Sequence, residues 1–168
     1  DVERIEKVRF WATQARDPAR HYQHSELGYN YRMSNVLAGI GRGQLKVLDE
    51  RIAKKKYIFE YYKRELADLE GIQFMPVNDW NEPNYWLSCL TLNGKIRPKD
   101  VMDALEEANV ESRPVWKPMH LQPYYETYDF VGEGVSDRLF ENGICLPSDT
   151  KMTDEDLERV VETIKGLW

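Results

Sequence analysis

Residues 24–35 read HSELGYNYRMSN, and this stretch decides how the chain divides. Tyr29, Asn30, Tyr31 and Arg32 stand in a row just ahead of Ser34, a residue type whose side-chain oxygen caps helices. An apolar helix face would need Leu, Ile or Val here, and a solvated turn has no use for two tyrosines flanking an asparagine. The run reads as the junction where a polar, aromatic arm over 16–33 enters a helix. It separates a helix and arm, 1–33, from a domain spanning 34–168. Two readings of its chemistry stand side by side. One is a surface arm with two half-buried tyrosines. The other is a docking place for something polar: Asn30 offers a neutral donor and acceptor, Arg32 a rigid five-donor fork suited to phosphate or carboxylate, and a helix N-terminus attracts anions. A phosphate-bearing ligand would suit these groups.

Upstream, Val2, Ile5, Val8 and Trp11 recur at helical spacing, which predicts a helix over 2–15 that stops before Asp17-Pro18, because the residue before a proline is pushed out of the helical region. The chain opens on Asp1 in the middle of this pattern, and we expect it to be part of a longer protein. Downstream, Leu37, Ile40, Gln44, Leu48 and Ile52 form one stripe, predicting a single long helix from Ser34 to about Leu69, ended by Gly71, which tolerates the left-handed conformation that follows a helix. Further expectations are a short strand at 72–75, a strand at 85–92 followed by an Asn93-Gly94 turn, and a helix opened by Pro98 with Val101, Met102, Leu105 and Ala108 inward. A strand at 110–115, a short helix near 135–141 and a strand at 143–146 come next. The last helix is capped by Thr153 and Asp156 and buries Leu157, Val160, Val161 and Ile164. Helices and short strands intermix, which predicts an α+β domain with a small, mainly antiparallel sheet packed by helices.

Three glycines, Gly39, Gly41 and Gly43, sit inside the predicted long helix. Each costs about 1 kcal/mol against alanine in a helix interior, so either the helix starts later or a backbone or ligand comes so close that no side chain fits. A dinucleotide fingerprint is excluded, since no strand precedes them. The second chemical constellation is RPVWKPMHLQPYY, residues 113–125. Pro114, Pro118 and Pro123 force their predecessors into extended conformations, predicting a stiffened loop that is neither strand nor helix. Trp116, Lys117, His120, Gln122 and Tyr124 give it more hydrogen-bonding and stacking capacity than a connector requires, and a binding role is favoured over a buried Trp with a surface His. His21 and His24 are too few for a zinc site, so no metal is expected. Ser148-Asp149-Thr150-Lys151 has acylase-like spacing without its partner motifs and reads better as a turn before the final helix.

Composition bounds the rest. The net charge of −6, with 42% hydrophobic and 31% charged residues, is that of a globular protein and argues against a nucleic-acid surface, which needs clustered Lys and Arg. Lys54-Lys55-Lys56, the only basic run, reads as a solvated helix face. No span approaches the roughly 20 apolar residues of a membrane helix. Cys89 and Cys145 lie outside any CxxC spacing, which favours a reducing, cytoplasmic location.

Taken in order, HSELGYNYRMSNVLAGIGRGQL, RPVWKPMHLQPYY and GICLPSDTKMT resemble the C-terminal portion of the DegT/DnrJ/EryC1/StrS family of pyridoxal-phosphate aminotransferases, which act on nucleotide-linked keto-sugars. The resemblance implies the small domain of a fold type I aminotransferase, with residues 1–33 joining it to a large cofactor domain, and a homodimer with active sites at the subunit interface. Asn30 matches the asparagine that reaches the cofactor phosphate of the neighbouring subunit. Tyr29 and Arg32 of the arm, and Arg113, Trp116, Lys117 and His120, match regions lining the sugar-nucleotide pocket, where Trp116 would stack and Lys117 would neutralise a diphosphate. Pro-Val-Trp-Lys-Pro-Met-His is most similar to members that aminate 4-keto-6-deoxy sugars on UDP or GDP, giving bacillosamine-like or perosamine-like products, with glutamate as the usual amino donor. The family's Schiff-base lysine lies in the large N-terminal domain and neither Lys117 nor Lys151 matches its motif. No residue of this chain is therefore assigned as catalytic, and the isolated chain is expected to be inactive. The alternative is a non-catalytic module that binds nucleotide sugars or pairs with a separate large domain.

Overall fold

The computed structural model describes residues 1–168 as two compact units, Asp1–Leu48 and Asp49–Trp168. In the first unit, helix α1 (Val2–Ala12) is capped by the Asp1 carboxylate, which accepts from Glu3 N–H at 3.1 Å. It ends three residues earlier than its apolar spacing predicts. Gln14 and Ala15 take left-handed φ values of 67° and 50°, closing the helix through a bond from Ala15 N–H to Phe10 O at 2.9 Å. The arm then doubles back along this end, with isolated bridges Thr13↔Asn30 and Arg16↔His24. Gly28 comes close to this end: a Cβ there would lie 2.5 Å from Ala15 N, and Ala15 is fully buried.

The predicted long helix is two helices. Ser34 caps α2 (Asn35–Leu45), accepting from Leu37 N–H at 3.3 Å, and α3 (Leu48–Leu66) follows. Between them the ladder tightens, with Lys46 N–H bonded to Gly43 O and Val47 N–H to Gln44 O, a three-residue repeat in place of four. The glycines therefore lie inside a helix that starts where Ser34 predicts. A Cβ at Gly39, Gly41 or Gly43 would meet nothing within 4 Å, so no backbone of this chain crowds them. Leu37 and Ile40 are exposed, and the stripe expected to run through to Ile52 is broken.

The second unit holds a four-stranded sheet, β1 (Ile72–Phe74), β2 (Ser88–Leu92), β3 (Arg113–Pro114) and β4 (Gly143–Leu146), in the order β1-β2-β4-β3 with every pair antiparallel. Alternation sends Leu90, Leu92, Ile144 and Leu146 to one face. There they pack with Ile58, Tyr62 and Leu66 of α3, Val101 and Leu105 of α4 (Pro98–Glu107), and Leu157, Val160, Val161 and Ile164 of α6 (Asp154–Lys165). Pro98 opens α4, and the Thr153–Asp156 capping box opens α6, as the sequence predicts. Helix α5 (Val135–Asn142) borders the opposite face through Leu139, beside Cys89 and Thr91. Gly71, at φ +85°, makes the turn into β1.

Three strands are shorter than predicted: β1 stops one residue early, at Phe74, and β2 and β3 are cut for local reasons. Tyr85 is left-handed at φ 50° and Trp86 N–H bonds the Asn84 side chain at 3.1 Å, so 84–86 is a turn and β2 starts at Ser88. Val110 N–H closes the end of α4 on Leu105 O at 2.8 Å after a left-handed Asn109, and Pro114 has no N–H to give the ladder, which leaves β3 two residues long.

Candidate functional site

In the first unit, backbone bonds fix the arm's exposed end. Tyr29 N–H bonds Trp11 O at 3.1 Å, Gln14 N–H bonds Tyr29 O at 3.1 Å, and Tyr31 N–H bonds Ala12 O at 3.0 Å. Behind it, Glu26 accepts from Trp11 Nε1 at 2.8 Å and from Lys7, and the bond from Lys7 is the first cause holding its carboxyl below the usual range. Asp17 accepts from Ser25 at 2.8 Å and Gln23 at 3.1 Å. With the main chain pinned, the side chains of Tyr29, Asn30, Tyr31 and Arg32 are exposed. Asn30 Oδ1 accepts from Arg32 N–H at 3.0 Å. The acceptor half of the amide is thus occupied locally, and its NH₂ half is left to donate. That donor, with the Arg32 fork nearby in sequence, is a set suited to a phosphate.

In the second unit, Arg113, Trp116 and Lys117 border one cavity of about 480 Å³, together with Leu87, Pro147 and Ser148. Trp116 is 66% exposed and Trp86 63%, with ring centroids 6.0 Å apart and planes tilted by 35°. Large rings left this open are available to stack on a planar or apolar ligand face. Arg113 Nε bonds Glu111 Oε1 at 2.8 Å, which turns part of its guanidinium toward a carboxylate of its own loop. His120 is elsewhere. Its ring stacks on Phe130 with centroids 3.6 Å apart, and its Nε2 lies 2.6 Å from Asp137 Oδ1, which ties the loop to α5. The 113–125 loop, expected to be neither strand nor helix, holds the two residues of β3 and two short 3₁₀ turns, Met119–Leu121 and Pro123–Tyr125, while Gln122, before Pro123, is extended as the proline predicts.

Lys55 is the residue that sequence reasoning placed wrongly. It does not lie on a solvated face: its ammonium donates to Trp86 O at 3.0 Å and to Ser148 O. Burial lowers its pKa, partly opposed by Asp149. Lys55 therefore joins the two chain segments that carry Trp86 and the Ser148 turn, and Tyr62 adds a bond from its hydroxyl to Pro147 O at 2.8 Å. The Ser148–Lys151 segment is the expected turn, closed by Asp149 Oδ1 accepting from Lys151 N–H at 2.8 Å. His21 bonds Gln23 Oε1 within the arm, and His24 bonds Gln14 O just ahead of it. No helix is long and apolar enough to cross a membrane.

This α+β arrangement, a small antiparallel sheet packed by helices, is the small-domain fold of the pyridoxal-phosphate aminotransferases. The crystal structure of the aminotransferase TlmJ from Streptoalloteichus hindustanus matches 99% of the chain at a TM-score of 0.85 and 22% identity, over 45% of its own length. The chain belongs to the DegT/DnrJ/EryC1/StrS aminotransferase family, whose model matches residues 1–165. The "Putative pyridoxal phosphate-dependent aminotransferase EpsN" of Bacillus subtilis is 48% identical over all of the chain. GDP-perosamine synthase of Caulobacter vibrioides is 31% identical over 94% of it. The chain spans 44% and 43% of the lengths of these two relatives.

Proposed function

We propose that the chain is the C-terminal portion of a pyridoxal-phosphate-dependent aminotransferase that aminates a nucleotide-linked 4-keto-6-deoxy sugar, with glutamate as amino donor. The observation that carries this reading is the open Trp116 ring standing beside Lys117 and Arg113 on one cavity. A stacking surface flanked by cations suits a sugar nucleotide, whose diphosphate needs positive charge and whose base or sugar offers a flat face. Family membership over residues 1–165 supports the reaction class.

In this reading Trp116 stacks on the substrate and Lys117 and Arg113 offset its diphosphate; Tyr29 and Arg32 on the arm, and His120 in the orientation that Asp137 and Phe130 give it, are each proposed by themselves as substrate contacts. Asn30 donates through Nδ2 to the cofactor phosphate bound by a neighbouring subunit of a homodimer. Pyridoxal phosphate supplies the electron sink for amino transfer when bound. The lysine that carries it is proposed to belong to the large domain, joined through residues 1–33. Two cysteines outside any CxxC spacing fit a cytoplasmic setting.

Titration of the protein with UDP- and GDP-linked 4-keto-6-deoxy sugars tests the substrate half of the proposal. Saturable binding of one of them, weakened in Trp116→Ala, is expected. Equal affinity in wild type and variant would contradict it. Helices α1 and α2 bury none of their residues, which favours a second reading, a non-catalytic module that assembles with a separate large domain. That module would bind the sugar nucleotide without transferring nitrogen to it.

A further inference from the structure

Cys89 and Cys145 are 56 positions apart in the chain and directly opposite one another on β2 and β4. Met75 N–H donates to Cys89 O at 3.1 Å, so the main-chain groups of Cys89 point toward β1. Val115 N–H donates to Gly143 O at 3.3 Å; two residues on, the groups of Cys145 point the same way, toward β3. Neither cysteine therefore bonds the other's backbone, and they form a non-hydrogen-bonded cross-strand pair. Such pairs hold their Cα atoms about 4.5 Å apart with both side chains on one face, inside the window of about 4.4–6.8 Å that a disulfide requires. The two sulfurs lie 3.5 Å apart.

The two thiols differ in a way that suits sequential reaction. Cys89 is half-buried and borders a cavity of about 540 Å³ with Met75, Val115, Trp116 and Leu139; Cys145, on the border of the 480 Å³ cavity, is 8% exposed. The hydrogen bond from Cys145 lowers the Cys89 thiol to about 7, and the same bond pushes Cys145 up. Cys89, the more open of the two, is thus the nucleophile, and Cys145 Sγ stands 3.5 Å from it.

We propose that Cys89 and Cys145 are a redox-reactive dithiol that closes reversibly into a cross-strand disulfide by exchange with low-molecular-weight disulfides. The Cys89 thiolate attacks one sulfur of the disulfide RSSR, forming a Cys89–S–SR bond and expelling RS⁻. Cys145 gives its proton to water, and its sulfur attacks the Cys89 sulfur and expels the second RS⁻. Two protein thiols lose two electrons and two protons, and RSSR is reduced to two RSH. The bond staples β2 to β4 beneath Val115 and Trp116.

The test treats the folded protein with hydroxyethyl disulfide, quenches with acid, alkylates the remaining thiols and reads the intact mass. The expected product is lighter by two hydrogens, carries no mercaptoethanol on these cysteines, leaves neither of them open to alkylation and reverts with dithiothreitol. Its digest should contain one peptide pair joining Cys89 to Cys145. In Cys145→Ser a mercaptoethanol adduct should accumulate on Cys89, and in Cys89→Ser the remaining thiol should react at least about tenfold more slowly. Wild type that accumulates single adducts without the cross-link would overturn the proposal. So would two thiols still alkylatable after an exposure that fully oxidises free dithiothreitol. The wild-type mass needs neither variant to fold and does not depend on amino transfer.

Discussion

Trp116 is the residue on which the proposed substrate site most depends. Replacing it with alanine should weaken sugar-nucleotide binding about tenfold, the equivalent of about 1.4 kcal/mol and within the range of a stacked or cation-facing ring. Trp116→Phe should keep most of the affinity; calorimetry of the two variants checks both. Lys117→Met should weaken binding at low salt and have less effect as salt is added, because exposed charges are screened over roughly 8 Å at physiological ionic strength. Asn30→Ala should loosen the cofactor by about 10- to 100-fold, the cost of one hydrogen bond to a charged group, read as cofactor absorbance retained through gel filtration of the full protein. At this scale the sequence showed which side chains are special but not where each one points. The exposure of Asn30 and Trp116 fits the polar arm and the proline-stiffened loop that the sequence showed. The tie of His120 to Asp137, 17 positions away, was not legible. Nor was the inward turn of Lys55, which hides in a run of three lysines.

Among the elements, α6 is specified most locally. Thr153 Oγ1 accepts from Asp156 N–H at 3.2 Å and Asp156 Oδ2 accepts from Thr153 N–H at 2.8 Å. Thr153→Ala should cost about 1 kcal/mol in urea unfolding. Asp156 is held below the usual carboxylate range, first by the backbone bond from Thr153. Its folded value is thus lower than its unfolded one, so its contribution is present in full above the ordinary carboxylate pKa and is lost as pH falls through the lowered value. The urea midpoints of wild type and Asp156→Asn should differ at neutral pH and converge in acid; a constant difference would contradict the capping role. Caps and helical spacing made α4 and α6 legible, since both signals sit within a few residues. The break between α2 and α3 left no such mark. An apolar stripe runs through Lys46-Val47 without proline or cap, and only the tightened ladder there shows that the helix stops.

For the whole molecule, the second unit depends on the core between the sheet and the helices α3, α4 and α6. Leu157, fully buried in it, should cost about 2–5 kcal/mol when cut to alanine, measured by chemical denaturation. The antiparallel sheet was legible in outline, but its order β1-β2-β4-β3 was not. Nor was the meeting of Cys89 with Cys145, because register between strands separated by α4, β3 and α5 is set by packing. The central claim, amino transfer to a sugar nucleotide, belongs to the complete protein. Its most direct test supplies that protein, loaded with pyridoxal phosphate, with nitrogen-labelled glutamate and UDP- or GDP-linked 4-keto-6-deoxy sugar, and follows the label by mass spectrometry. The account predicts labelled nitrogen at the former keto carbon of one of these sugars, at a rate reduced in Trp116→Ala. Label that stays on glutamate with both sugars, while the protein binds them and the cofactor, would contradict it.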